Sequence, residues 1–245
     1  MSHILKDSED AYGHALLDHF ENGGGFEIIE REDGYVDLSS GPSNYFLPFD
    51  EWPTIEKTAM EYAHGNILDI GLGAGRVCLH LQEEGHQCTG IDNSPNAVKV
   101  ASARGVVNAL NISFEDIGTL GRVFDTVTMF GNNFGLFGNM EKARKMLRTL
   151  HEITSSNGTI LAESVDPLQT DLSDHLEYQR LNRSRGKMPG QLKIRVLYRK
   201  FKTPWFEYLI VTQNEMKEIL NGTGWRISRF ITGKGPLYMA VIEKD

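Results

Sequence analysis

One stretch constrains this chain more than any other. Residues 66–105 read NILDIGLGAGRVCLHLQEEGHQCTGIDNSPNAVKVASARG. Asn66 to Ile70 is a short apolar run broken by one acid, which predicts a strand, and the glycines at 71, 73 and 75 let the backbone turn sharply and lie against a ligand with no Cβ in the way. Val77, Cys78 and Leu81 recur at helical spacing and Gly85 closes that helix. Gln87 to Ile91 reads as a second strand ending at Asp92, after which Ser94 caps a further helix with Pro95 at its first position and Gly105 past its end. Strand, glycine turn, helix, strand, acid, helix is the order of a nucleotide-binding βαβ unit, so the chain belongs to the α/β class.

The spacing narrows the nucleotide. A dinucleotide site uses G-x-G-x-x-G, whereas here Gly71, Gly73 and Gly75 are followed by Arg76, so the third glycine comes one position early. No P-loop lysine follows, which disfavours a triphosphate. Asp69 lies two residues before the first glycine, and Asp92, with Asn93 beside it, is placed to accept hydrogen bonds from a ribose. A tight turn over an ordinary buried helix would explain the glycines alone; Asp69, Asp92 and the Ser94-Pro95 cap weigh against it.

These residues resemble motif I and the following acidic position of the class I S-adenosylmethionine (SAM) dependent methyltransferases. The resemblance spans Asn66 to Asp245. It implies a Rossmann-like, seven-stranded, mostly parallel sheet with helices on both faces and an antiparallel last strand. It also implies that Gly71, Gly73 and Gly75 hold the amino-acid end of SAM, that Asp92 holds the ribose, that Asp116 and Ile117 hold the adenine, and that S-adenosylhomocysteine (SAH) is the product. The N-terminal portion, the Asn132-Asn133-Phe134-Gly135 loop and Thr203-Pro204-Trp205-Phe206 look like a bacterial or archaeal branch acting on small molecules. Leu72 stands where many relatives have Cys, a departure of little weight because the backbone makes the contact.

The 245 residues suit an N-terminal helical or lid segment (1–65) and a methyltransferase domain (66–245) carrying an insertion at about 167–211. A formal charge of −8 repels polyphosphates, so nucleic acid is not an expected partner. With no stretch of membrane-spanning length and acids among the first residues, a soluble, cytoplasmic protein away from membranes is expected. Cys78 and Cys88 are expected to be inert buried thiols, and no metal site is foreseen. An N-terminal helix over residues 8–22 should stop at Gly23-Gly24-Gly25, with irregular chain or a short strand from Phe26 to Leu38. Tyr45 to Pro53 places five large apolar side chains in a segment with two prolines. Such a segment either packs on its own core or forms a lid in which Tyr45 and Trp52 face the substrate, since aromatic rings can flank a sulfonium cation. Pro53 should open a helix to about Ala63.

Strands are expected at Leu110 to Phe114, Phe124 to Phe130 and Thr159 to Ala162, with Asn157-Gly158 as a turn before the last of these. After Phe130 the loop Gly131 to Gly138 should face the ligand, Gly131 and Asn132 toward the cofactor and Asn133 toward the substrate. Met140 to Ile153 is a core-facing helix. Residues 180–202 hold nine basic side chains and no acid. Leu192 to Tyr198 alternates as a half-buried strand, with Tyr208 to Val211 as its neighbour. Arg195 and Arg199 would there grip an anionic acceptor, although a dimer surface or a solvated strand face explains them equally well. Thr212 and Glu215 form a capping box, and strands at Trp225 to Ile231 and Leu237 to Glu243 close the chain. No residue declares itself a general base. Glu163, Asp166 and His14 are candidates, and a thiolate or amine acceptor needs little help. The expectation is methyl transfer from SAM to a small, conditionally anionic acceptor by a monomer or homodimer. The rivals are a non-catalytic SAM-binding protein and an NAD-dependent oxidoreductase, the latter disfavoured by the early third glycine.

Overall fold

Apolar runs of strand length alternate with amphipathic helices from Asn66 onward, and this alternation builds the layered structure. A computed structural model describes residues 4–39 and 41–245. The strands are β1 (Ile28–Arg31), β2 (Val36–Leu38), β3 (Asn66–Ile70), β4 (Gln87–Asp92), β5 (Asn108–Asn111), β6 (Phe124–Met129), β7 (Thr154–Val165), β8 (Gln191–Tyr198), β9 (Phe201–Lys202), β10 (Phe206–Leu209), β11 (Trp225–Thr232) and β12 (Leu237–Lys244). The helices are α1 (Ala11–Asn22), α2 (Thr54–Met60), α3 (Arg76–Glu83), α4 (Pro95–Arg104), α5 (Met140–Glu152), α6 (Ser173–Ser184) and α7 (Gln213–Leu220).

The larger sheet has seven strands in the order β11-β12-β7-β6-β3-β4-β5. β3, β4 and β5 pair in parallel, as do β6 and β7, while β12 runs antiparallel to both β7 and β11. This is the mostly parallel, Rossmann-like architecture with an antiparallel last strand. The smaller sheet runs β10-β8-β1-β2, with β9 paired to β8.

The chain divides into two compact units. One contains the chain up to Trp52, His64–Gly121 and Ile194–Trp205. Its centre is β3, β4 and α4, with Ile67, Leu68, Ile91 and Val100 no more than 1% exposed. α1 packs on α4, burying Ala11, Ala15 and Leu16 completely. Each such leucine contributes about 1.5–3 kcal/mol through the area removed from water. The other unit contains Pro53–Ala63, Arg122–Lys193 and Phe206–Asp245. There α2 packs on β11 and β12, α5 packs on β7, and the Trp225 indole donates to the Leu147 carbonyl at 2.8 Å.

Residues 26–38 take the strand alternative, as the two short strands β1 and β2 of an antiparallel hairpin, with Gly34 (φ +90°) at the turn and the Arg31 guanidinium bonded to Asp33 at 2.7 and 2.8 Å. Three local expectations need correction. The strand expected at Leu110 to Phe114 lies earlier, at Asn108–Asn111, because Ser113 starts a 3-10 turn over Phe114–Leu120. Asn157 and Gly158 do not turn the chain; they lie within β7, where an irregularity opposes Phe124 to Thr154 and Thr126 to Thr159. Gly158 is needed there, since a Cβ would come within 2.8 Å of Thr154 Cβ. Pro53 is the residue before α2 rather than its first position, and α6, bearing Arg180 and Arg183, had no counterpart in the periodicity.

Candidate functional site

The glycine turn is built in the first unit by β3, α3 and β4. Gly71 and Leu72 both donate their N–H to the Ile91 carbonyl, at 3.0 and 2.9 Å, which ties the turn to the second strand. Gly71, Gly73 and Gly75 all have positive φ, at 78°, 53° and 83°, where a side chain is strained. Their roles differ. A Cβ on Gly75 would meet Val106 at 2.6 Å and Ala101 at 3.1 Å, so this glycine allows close packing. A Cβ on Gly73 would come no nearer than van der Waals contact, 3.5 Å from the Tyr12 hydroxyl, so packing does not demand this glycine. The early third glycine is therefore a packing residue, and the one at 73 is not.

Asp92 closes the turn. Its Oδ2 accepts from Gly73 N at 3.0 Å and its Oδ1 from Ser94 N at 2.9 Å. Burial raises its pKa to about 6 against those two N–H groups, with the Asp10 charge adding to the rise. Asp69 is 2% exposed, and the Cys78 thiol lies 3.9 Å from its Oδ2. Burial pushes the Cys78 thiol well up, so Cys78 is a core residue beside the site. Asn93 uses its carbonyl to hold Leu5 N at 3.0 Å. Ile117 is fully buried in the 3-10 turn that also carries the partly exposed Asp116.

The N-terminal segment covers this seat. Asp10 caps α1 through Gly13 N at 3.0 Å and also accepts from Asn96 N of α4 at 3.1 Å, so one buried carboxylate holds the starts of two helices. Gly13 lets them meet: a Cβ there would stand 2.2 Å from Ser94 Oγ. Tyr12 consequently lies over Gly73 and meets the Tyr45 ring edge-on at 5.4 Å. Burial, with Tyr45, Asp92 and Glu27 around it, raises the Tyr12 phenol well above its ordinary value, so it is a proton donor at neutral pH. Arg104 reaches from the end of α4 to the Ala74 carbonyl at 2.6 Å and the Tyr45 carbonyl at 3.3 Å, with its guanidinium 4.7 Å from the Phe46 ring centre. The apolar segment thus has two parts. Tyr45 packs edge-on against Tyr12, whereas Trp52, 3% exposed, is fixed by Arg76 at 4.4 Å and by His80 and Phe49 as ordinary core.

The second unit contains the loop after β6. Glu163 on β7 accepts from Asn132 N at 3.0 Å and Gly131 N at 3.3 Å, and Tyr208 donates its hydroxyl to the Asn132 carbonyl. Asn132 is held at φ +65°, and its buried Oδ1 has no hydrogen-bond partner among the described residues. Asn133 begins the 3-10 turn that buries Phe134 and Phe137. Gly135 is obligatory beneath Tyr208, whose ring atoms would lie 2.2–2.5 Å from a Cβ.

The remaining candidates have structural partners. Glu163 shapes the loop just described. Asp166 accepts from Leu168 N at 2.9 Å and closes a turn. His14 bonds Asp7 at 2.9 Å and stacks on Phe201 at 3.6 Å. Arg195 pairs with Glu30 at 2.7 Å beneath Trp205, and Arg199 pairs with Asp18 at 2.8 Å. Both arginines thus have an acidic partner in the first unit. Sequence reading missed Asp10, Tyr12, Glu27 and Arg104. Only Asp10 carried a signal, as a helix-capping residue before an apolar period.

Residues 67–158 match the methyltransferase domain family. A protein of Geobacillus sp. (strain WCH70) classed as a methyltransferase is 27% identical over 53% of this chain and 54% of its own length, so the chain spans about half of that relative. A SAM-dependent methyltransferase from Bacteroides fragilis, solved with SAH, is similar with a TM-score of 0.84 and 24% identity, over 99% of this chain and 98% of that one. The CcbJ methyltransferase of Streptomyces caelestis is similar with a TM-score of 0.63 and 15% identity, over 96% and 98%. Residues 67–158 thus match the methyltransferase domain family, and the fold around them is shared with the SAM-dependent methyltransferase of Bacteroides fragilis.

Proposed function

We propose that this protein transfers the methyl group of SAM to a small acceptor. The observation that carries the reading is the glycine turn tied at Gly73 N to the Asp92 carboxylate, which retains lone pairs for a ribose. The residues fit the cofactor: Gly71 and Gly73 would lie along its amino-acid end, Asp92 with Asn93 would take the ribose hydroxyls, and Asp116 with the buried Ile117 would take the adenine. Gly75 and Asp69 support the turn. SAM supplies a methyl group already activated by the charge on sulfur, which leaves the protein to align, exclude water and remove a proton where needed. Tyr12 and Tyr45, held by Arg104, exclude water from the seat. In the second unit Gly131, Asn132 and Asn133 form a loop with one unpaired acceptor, Asn132 Oδ1, suited to a donor on a ligand.

Calorimetric titration of the purified chain with SAM, SAH and NAD tests this. SAM and SAH are expected to bind, and NAD is not. Absence of affinity for both SAM and SAH would overturn the reading, and NAD binding alone would favour an oxidoreductase.

A further inference from the structure

Glu27 precedes β1 in the first unit, and its side chain is unaccounted for by the fold. The residue is 3% exposed, and its Oε2 has no hydrogen-bond partner among the described residues. A buried carboxylate oxygen left unpaired costs several kcal/mol unless a cation or a donor meets it. Its charge acts on two phenols, Tyr12 and Tyr198. Tyr198 already donates to Asp18 at 2.6 Å. Tyr12 is the one that reaches the glycine turn, within 3.5 Å of where a Gly73 Cβ would stand, and Asp92 and Glu27 both act on it. Tyr12 thus links the unpaired carboxylate to the glycine turn.

We propose that Glu27, with Tyr12 and Tyr45, receives a positively charged nitrogen beside the transferable methyl, and that the acceptor is accordingly an amine. The inference rests on the methyltransferase reading above. An ammonium held by Glu27 gives that carboxylate one proton. The freed lone pair on nitrogen forms the N–C bond while the C–S bond breaks, and the electron pair stays on sulfur. Neutral SAH and a methylated ammonium result, and the proton on Glu27 passes to solvent. Glu27 is then both the specificity determinant for an amine and its base.

The test compares SAH with sinefungin, a SAM analogue bearing a primary amine where the transferable methyl stands. The full chain is expected to bind sinefungin about 10- to 100-fold more tightly than SAH, the range for one charge-assisted hydrogen bond. Glu27→Gln keeps the shape and removes the charge; it should bind SAH as before and lose the preference for sinefungin. Equal affinities in the unaltered protein, or a preference that survives Glu27→Gln, overturns the proposal. Failure of the unaltered protein to bind SAH instead removes the function on which the proposal rests.

Discussion

Asp92 sets stability against cofactor binding, and pH separates the two. Its folded-state pKa of about 6 exceeds the ordinary 3.8. The folded protein therefore holds this proton more tightly than the unfolded chain. The resulting stabilisation is greatest below the ordinary value, falls as pH rises from about 4 to about 6, and is gone above that window. Integrated between about pH 4.5 and pH 7, the loss is about 2 kcal/mol. Asp92→Asn cannot titrate and escapes it. The amide must turn its NH2 toward Gly73 N or Ser94 N, a cost of about 1–3 kcal/mol, but that cost is nearly independent of pH and cancels in a comparison across pH. Urea unfolding of both proteins across the window should show the variant gaining about 2 kcal/mol relative to the unaltered chain as pH rises. The same substitution should weaken SAH about 10- to 100-fold at neutral pH, because a ribose hydroxyl loses its charged acceptor. A stability difference that stays flat across the window would show that the carboxylate is not perturbed by burial and refute the reasoning.

Gly73→Ala should fold at a backbone cost of about 1–2 kcal/mol yet bind SAH at least about tenfold less tightly, since the methyl would stand between the turn and the Tyr12 hydroxyl, where the amino-acid end of the cofactor is proposed to lie. Gly75→Ala should reverse the pattern, with a thermal unfolding temperature lowered by the collision with Val106. Arg104→Ala releases the Tyr45 carbonyl, so limited proteolysis should cut residues 41–52 faster, and SAH should protect the unaltered chain there but the variant less. Arg195→Glu breaks a pair that is about one-quarter exposed and sets two acids face to face; denaturant unfolding should show a loss of about 1 kcal/mol, while SAH titration is unaltered.

The parts of the site legible in the sequence are those whose chemistry is local. Gly71, Gly73 and Gly75 announce a backbone conformation, Ser94-Pro95 a helix start, and Asp92 a strand end, because each constraint acts within a few residues. The strands at the C-terminus could be placed for the same reason. Tyr12 could not be found this way. Its position over Gly73 follows from Asp10 bridging α1 to α4, a contact 86 residues apart along the chain. Charge patterning along the chain could not supply distant partners: Glu30 and Asp18, from β1 and α1, meet Arg195 and Arg199. Asn157-Gly158 misled in the other direction, since a strong turn signal was absorbed into the β7 irregularity.

The antiparallel insertion of β12 has a consequence for biosynthesis. β7 is hydrogen-bonded to β12 from Thr159 through Val165, and β11 reaches that sheet only through β12. Until Leu237–Lys244 leaves the ribosome, the nascent chain presents the apolar edge of β7 to its surroundings, a template for pairing with other chains. Slow translation between the codons of β7 and those of β12 would lengthen that exposure, so yield during expression should depend on chaperone supply across that interval more than before it.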